Sequence, residues 1–369
     1  MTNFFDLNED VAIEIMSWLP VESLQRFKLV CKNWYYSIHS LMNNSFFVLK
    51  HYANMDTKLW SSKEIYLRNI SALSPYGPIT SYIFTILANN DHDHHDDGCI
   101  PNFHPFTHYY GVSYYNGIIC INTIYSIALC NLALRELKFV PLYRDEFINV
   151  KVLGFGYDSR ANDYKIIAIK GFDSLEIYSL NSNSWKLIQD SRIDQVLPQF
   201  GFQVVNLKKF CYCYCWCKKL CGLLIISTQI ENEEIEIIRV PENHDNWLKH
   251  CEDRDIGEWT RIVTWNEEIA LFFFAKSNPT IIDMWVLMRK RNGDHNYYCW
   301  TKFITLGPFE GIRRPLTLWK DQVLYMSSED DIIFVYKFGI NSSYCCTHFR
   351  GGQYFVPYVK SLTSVIKRA

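Results

Sequence analysis

Apolar residues near the front of the chain follow a helical rhythm. Leu7, Val11, Ile15 and Leu19 recur at every fourth position, so they fall along one side of a helix that buries them together. Asn8 is placed to cap that helix, and Glu9 and Asp10 stand in its first turn, where carboxylates complement the positive end of the dipole. Pro20 ends the helix and can open the next, because a first helical position needs no N–H. Leu24, Phe27, Cys31, Trp34 and Ile38 then follow at spacings of three and four, which predicts one continuous apolar face on a second helix. Some 40 residues in two or three such helices bury too little surface to be very stable alone. Leu7, Val11, Leu19, Pro20 and Leu24 offer more apolar surface than the hairpin can cover with itself, and an exposed patch of that kind marks a protein interface.

Further along, the rhythm changes to short apolar runs separated by turn residues. Ile65 to Leu67 and Tyr82 to Leu87 read as strands flanking the turn material Ser74-Pro75-Tyr76-Gly77-Pro78. From residue 127 the chain repeats itself. Ile127 to Pro141, Leu175 to Ile188, Ile282 to Thr305 and Ile332 to Phe349 each show an apolar run, a turn and a second apolar run, with a weaker echo from Ile235. Trp185, Trp300 and Tyr344 recur in the second run of three of these units. The period is close to 50 residues, and another pair of apolar runs precedes each unit. Four short strands in such a period is the signature of a propeller blade at the kelch spacing. A single blade cannot bury both faces, so blades stack around an axis. The expected class is an α+β multidomain chain: a small N-terminal helical module, then an all-β kelch-like propeller of about six blades. The apolar stretch Tyr354 to Val365 can supply a closing strand. A decorated β-sandwich is the competing architecture.

Composition alters this picture little. Aromatic residues make up 16% of the chain, which favours pleated surfaces, and a net charge of −2 gives no reason to expect nucleic acid or an anionic membrane as the main partner. No signal-peptide pattern opens the chain and no apolar run reaches membrane-spanning length, so the expected location is the cytosol or nucleus. Thirteen cysteines, an odd number, read as reduced core residues. Cys211, Cys213, Cys215 and Cys217 alternate along one strand face while Tyr212, Tyr214 and Trp216 share the other. A flat row does not converge as a tetrahedral zinc site requires. The polar segment from Asn89 to Gly98 is dense in His and Asp and could ligate a divalent metal, but it reads more simply as a solvated loop tip. Leu153-Gly154-Phe155-Gly156 lacks the third glycine and following helix of a phosphate cradle, so close strand packing is the better account. The acid pairs Glu233-Glu234 and Asp330-Asp331 fall at turns, where hydration is easy. No catalytic motif is found, and neither a cofactor nor a metal is expected.

The segment Leu19-Pro20-Val21-Glu22-Ser23-Leu24, followed by Arg26-Phe27-Lys28, Val30-Cys31-Lys32 and Trp34, resembles the F-box, the module that docks substrate receptors onto the Skp1 adaptor of SCF ubiquitin ligases. It departs from the family in opening its first helix with Leu7-Asn8 rather than Leu-Pro. The resemblance implies a Skp1-like adaptor, and through it cullin-1 and a RING subunit, as partners. It assigns docking to Leu7, Val11, Ile15, Leu19, Pro20, Val21, Leu24, Phe27, Val30, Cys31 and Trp34. Leu153 to Asp158, Asp163 to Ile166, Leu175 to Leu180 with Ser184-Trp185, Met284 to Met288, Trp300-Thr301-Lys302 and Pro315 to Trp319 resemble the F-box-associated domain of plant F-box proteins over most of residues 110 to 365. The overall layout looks like the S-locus F-box and S-locus-F-box-like proteins. The expected division is an F-box at 1–48, an irregular connection with the first β elements at 49–110, and a substrate-recognition domain at 111–369. The implied role is a non-catalytic receptor that brings a target protein to the ligase, with non-self S-RNases as the substrate if the S-locus likeness holds. Acidic stretches at Asn89 to Asp97, Glu231 to Glu236 and Glu252 to Asp255 could steer such basic proteins. Two other classes remain open: a kelch-like or lectin-like binder capped by the helices, and an enzyme using the propeller channel with the His-rich loop as a metal site.

Overall fold

The structure is a computed structural model. It describes residues 8–57, 62–74, 77–87, 109–123, 126–142, 150–170, 174–189, 198–217, 222–241, 260–275, 278–292, 295–319, 323–328, 333–337, 342–347 and 352–366. Four helices come first: α1 (Glu9–Ser17), α2 (Val21–Phe27), α3 (Lys32–Asn43) and α4 (Ser45–Thr57). Asn8 caps α1 as its sequence position predicts, its Oδ1 accepting from the Asp10 N–H at 2.9 Å. The face from Leu24 to Ile38 is carried by two helices rather than one, because α2 stops at Phe27 and Cys31 is extended at φ −160°. Leu24, Phe27, Trp34 and Ile38 still meet in one core across the break, with the Phe27 and Trp34 rings edge to face at 5.0 Å, whereas Cys31 between the helices is left exposed.

The helical part continues to Thr57, past the expected boundary at residue 48. The cause is a fourth helix whose signals are local. Asn44 Oδ1 accepts from the N–H groups of Phe46 and Phe47, and Phe47, His51 and Met55, four residues apart, are all buried.

Among the described residues, every helix or strand after α4 is a strand. Four-stranded antiparallel meanders form from β3 (Tyr109–Tyr115), β4 (Ile118–Thr123), β5 (Ile127–Asn131) and β6 (Glu136–Phe139), and from β7 (Val150–Asp158), β8 (Asp163–Lys170), β9 (Ser174–Ser179) and β10 (Ser184–Leu187). Three more follow: β11 (Pro198–Leu207) to β14 (Glu234–Arg239) through β12 (Phe210–Cys217) and β13 (Gly222–Gln229); β15 (Thr260–Trp265), β16 (Glu268–Ala275), β17 (Asn278–Asn292) and β18 (His295–Leu306); and β19 (Ile312–Trp319), β20 (Val323–Ser328), β21 (Ile333–Lys337) and β22 (Ser342–Thr347). The last sheet joins the two ends of the β region: β1 (Ser62–Ser74) pairs with β2 (Gly77–Leu87) and with β23 (Gly352–Val359). First strands of successive sheets lie side by side, β3 with β7, then β11, β15 and β19, and β23 sits beside both β19 and β3. The ring therefore closes on six blades among the described residues, and the apolar C-terminal stretch supplies the closing strand.

Blade interfaces hold the core. The Cys row of β12 faces one neighbour, where Cys211, Cys213 and Cys215 pack with Leu153, Ile167 and Ile177. Tyr212 and Tyr214 face the other, against Ile262, Leu271 and Phe273. Period two thus fills two different interfaces from one strand. The repeated Trp has a matching use: Trp185 Nε1 donates to Pro141 O at 2.7 Å and Trp300 Nε1 to Arg239 O at 2.8 Å, each reaching the end of the preceding blade's outer strand. Arg135, Asn183 and Glu233 hold equivalent left-handed turn positions at φ 56°, 53° and 58°. That equivalence shows that the echo at Ile235 is an outer strand, and that the third strand of its blade begins earlier, at Gly222. Gly154 marks a close approach, as its sequence context suggests, since a Cβ there would lie 2.5 Å from Thr228 Oγ1.

Candidate functional site

The α1–α3 corner separates the docking candidates into two groups. On α1 the residues turned inward are Ala12, Met16 and Ser17, whereas Val11 is 47% exposed, Ile15 45% and Trp18 40%. The expectation that Val11, Ile15 and Leu19 are buried together is therefore corrected. The core takes the next position along, 12 and 16, because four-residue spacing fixes a stripe without saying which stripe faces in. Leu19 is partly buried at the helix end and its carbonyl oxygen lies 2.8 Å from His51 Nε2. Leu7 lies outside the described residues.

Val21 and Leu24 sit in the helical core with Met16, Ile38 and Met42, and Leu24 is completely buried. Phe27 and Trp34 pack on the edge of the same core. Pro20, Val30 and Cys31 are exposed. Val11, Ile15, Pro20, Val30 and Cys31 thus remain on the surface, while Val21 and Leu24 are taken up by the helical core. Sequence rhythm missed Trp18, Leu29, Tyr35 and Tyr36, all exposed. The available signal is that these apolar residues fall outside the buried spacing of three and four. Trp18 is held by Nε1 donating to Glu14 Oε1 at 2.9 Å, and Lys28 lies 5.2 Å from the Tyr35 ring centre.

The propeller offers less chemistry. A small cavity between β3, β4, β7 and β11 is lined by Ser113, Asn122, Lys151 and Gln203 and has room for roughly one water molecule. Substrate pockets are far larger, about 300–1,000 Å³. Burial lowers the Lys151 ammonium pKa. Burial likewise pushes the thiols of Cys120, Cys130, Cys211 and Cys213 up to about 12, which suppresses the thiolate that reactivity or metal binding requires. Among the described residues, no group of three or more His, Cys, Asp or Glu is placed to hold a metal. The His/Asp-rich segment from Asn89 to Gly98 lies outside the described residues.

Three of the four carboxylates in the acidic stretch Glu231 to Glu236 are engaged within the chain. Glu231 pairs with Lys209 at 2.7 Å, Glu233 with Lys165 and Lys186, and Glu236 accepts from Tyr298. Glu233 is therefore not simply solvated, and its carboxyl pKa is lowered by its lysine partners against the opposing effect of burial.

The helical and β parts also match known families. An F-box domain model matches residues 4–46, and an F-box associated beta propeller domain model matches residues 89–365.

The chain belongs to the F-box associated beta propeller family.

An Arabidopsis thaliana protein named for its F-box is 25% identical over 316 residues, which are 82% of this chain and 79% of that one. An F-box/kelch-repeat protein of the same plant is 28% identical over 189 residues, 47% of this chain and 49% of its own length. Another Arabidopsis F-box protein is 26% identical over 222 residues, 54% of each. For the latter two relatives the match spans about half of their length. No helix among the described residues is long and apolar enough to cross a membrane.

Proposed function

We propose that this F-box protein is the substrate-recognition subunit of an SCF-type ubiquitin ligase. Its helices dock on a Skp1-like adaptor and its propeller presents a target protein. The observation that carries the reading is the apolar set Val11, Ile15, Val30 and Cys31, left exposed within the F-box match where a monomer has no use for it. The chain then does no chemistry itself. It raises the effective concentration of substrate lysines near a ubiquitin-charged E2 brought by cullin-1 and the RING subunit. Such work belongs to the cytosol or nucleus.

Working as a receptor, the protein would hold its target on the propeller, whose described strands run from Ser62 to Val359, with the helices that end at Thr57 reserved for the adaptor. The resemblance of the overall sequence layout to S-locus F-box proteins makes non-self S-RNases the first substrate class to try. The decisive experiment is capture of a purified Skp1-type adaptor by the full chain, followed by reconstitution with cullin-1 and RING subunits. Stoichiometric capture is expected. A folded chain that ignores the adaptor ends the proposal and leaves a kelch-like binding protein.

A further inference from the structure

The helical core is not closed by the helices. Leu362, fully buried, packs among Met16, Val21, Leu24, Ile38, Met42, Phe47 and Val48, and Ala133 and Leu134 from the β5–β6 turn complete the same cluster. Polar contacts fix the segment that delivers Leu362. Asn131 Nδ2 donates to Ser361 O at 3.0 Å and to Thr363 O at 2.6 Å, and the Val365 N–H donates to Glu136 Oε2 at 2.9 Å. Lys360 pairs with Glu22 on α2, and Gln25 Nε2 reaches Ala133 O at 3.4 Å. Behind the segment, Tyr114 OH donates to Val359 O and accepts from the Val359 N–H, with Tyr52 OH of α4 3.0 Å away. The tail has little slack, because a Cβ on Gly117 would come within 2.1 Å of Ser361 Cβ.

Chain order gives this packing a consequence. Residues 360–365 directly follow β23, the strand that closes the ring by pairing with β1. Leu362 therefore reaches the helices only in a chain whose propeller has closed, and helices of this length without an outside core residue are marginal. We propose that adaptor docking is conditional on propeller closure: the C-terminal segment after β23 completes the F-box core, so an unclosed receptor presents no ordered docking face. The inference rests on the adaptor reading above for its biological meaning, but the structural coupling stands apart from it.

The test compares the full-length chain with its Leu362→Ala variant by amide hydrogen exchange and by affinity for purified Skp1-type adaptor. Exchange in α1–α3 is expected to rise at least tenfold and adaptor affinity to fall at least tenfold, while β8 and β12 keep their protection. Unchanged α1–α3 exchange overturns the coupling, and so does loosening spread equally over the propeller. A second pair guards against a folding failure: Lys360→Glu should loosen α2, and adding Glu22→Lys should restore it. Failure of the swap to restore protection counts against the proposal. If the wild type does not bind adaptor, the docking reading fails while the exchange comparison still decides the coupling.

Discussion

Replacing Val11 and Ile15 together with alanine separates docking from folding. Each side chain keeps nearly half its surface in water. Complete burial of such a residue contributes about 1.5–3 kcal/mol, so covering the remaining half contributes about 1 kcal/mol each. Alanine retains the Cβ, and the pair should weaken adaptor binding by roughly ten- to thirtyfold. Stability should barely move, because exposed substitutions stay within about 0.5 kcal/mol and alanine is the better helix former. The control is Leu24→Ala. Leu24 is completely buried among Met16, Val21, Ile38 and Leu362, so its truncation should cost about 2–5 kcal/mol. Urea unfolding and titration calorimetry on the three proteins read both effects. Should the double variant lose as much stability as Leu24→Ala, Val11 and Ile15 are core residues. Should its Kd match wild type, the docking face lies elsewhere.

Other outcomes follow from the same geometry. Cys31 is exposed, so iodoacetamide should alkylate it before Cys120, Cys211 or Cys213, and bound adaptor should slow that labelling; mass spectrometry of the peptides checks both. Alkaline pH should destabilise the protein. Thiols held up to about 12 in the fold at Cys120, Cys130, Cys211 and Cys213 ionise near 9 once unfolded. Their contribution is complete below pH 9 and is lost as pH climbs from there toward 12. The urea midpoint should hold between pH 7 and 8.5 and fall by pH 10.5, and a flat profile to that point would contradict the burial account. Gly117→Ala forces a residue with φ 80° to carry a Cβ into Ser361. It should lose about 2 kcal/mol or more in chemical denaturation, since the left-handed conformation alone costs about 1–2 kcal/mol.

Features that depend on neighbours close in the chain are legible without the fold. Asn8 as a cap, Pro20 as a boundary, the alternation of Cys and Tyr along β12 and the roughly fifty-residue repeat are local patterns, and the structure keeps each of them. The F-box resemblance was legible for the same reason, being a dense run of residues. The remaining features depend on contacts between distant parts of the chain. Periodicity marks a stripe on α1, but only the packing of α1 against α2–α4 and Leu362 places Ala12 and Met16 inside and leaves Val11 and Ile15 outside. Glu231 and Glu233 read as part of a free charge run until blade turns bring Lys209 to the first and Lys165 and Lys186 to the second. The use of Leu362 was beyond reach of any local pattern. More than 300 residues separate it from Leu24 in sequence, and only closure of the ring brings the two into one core, because burial depends on what the whole chain folds against and not on spacing along it.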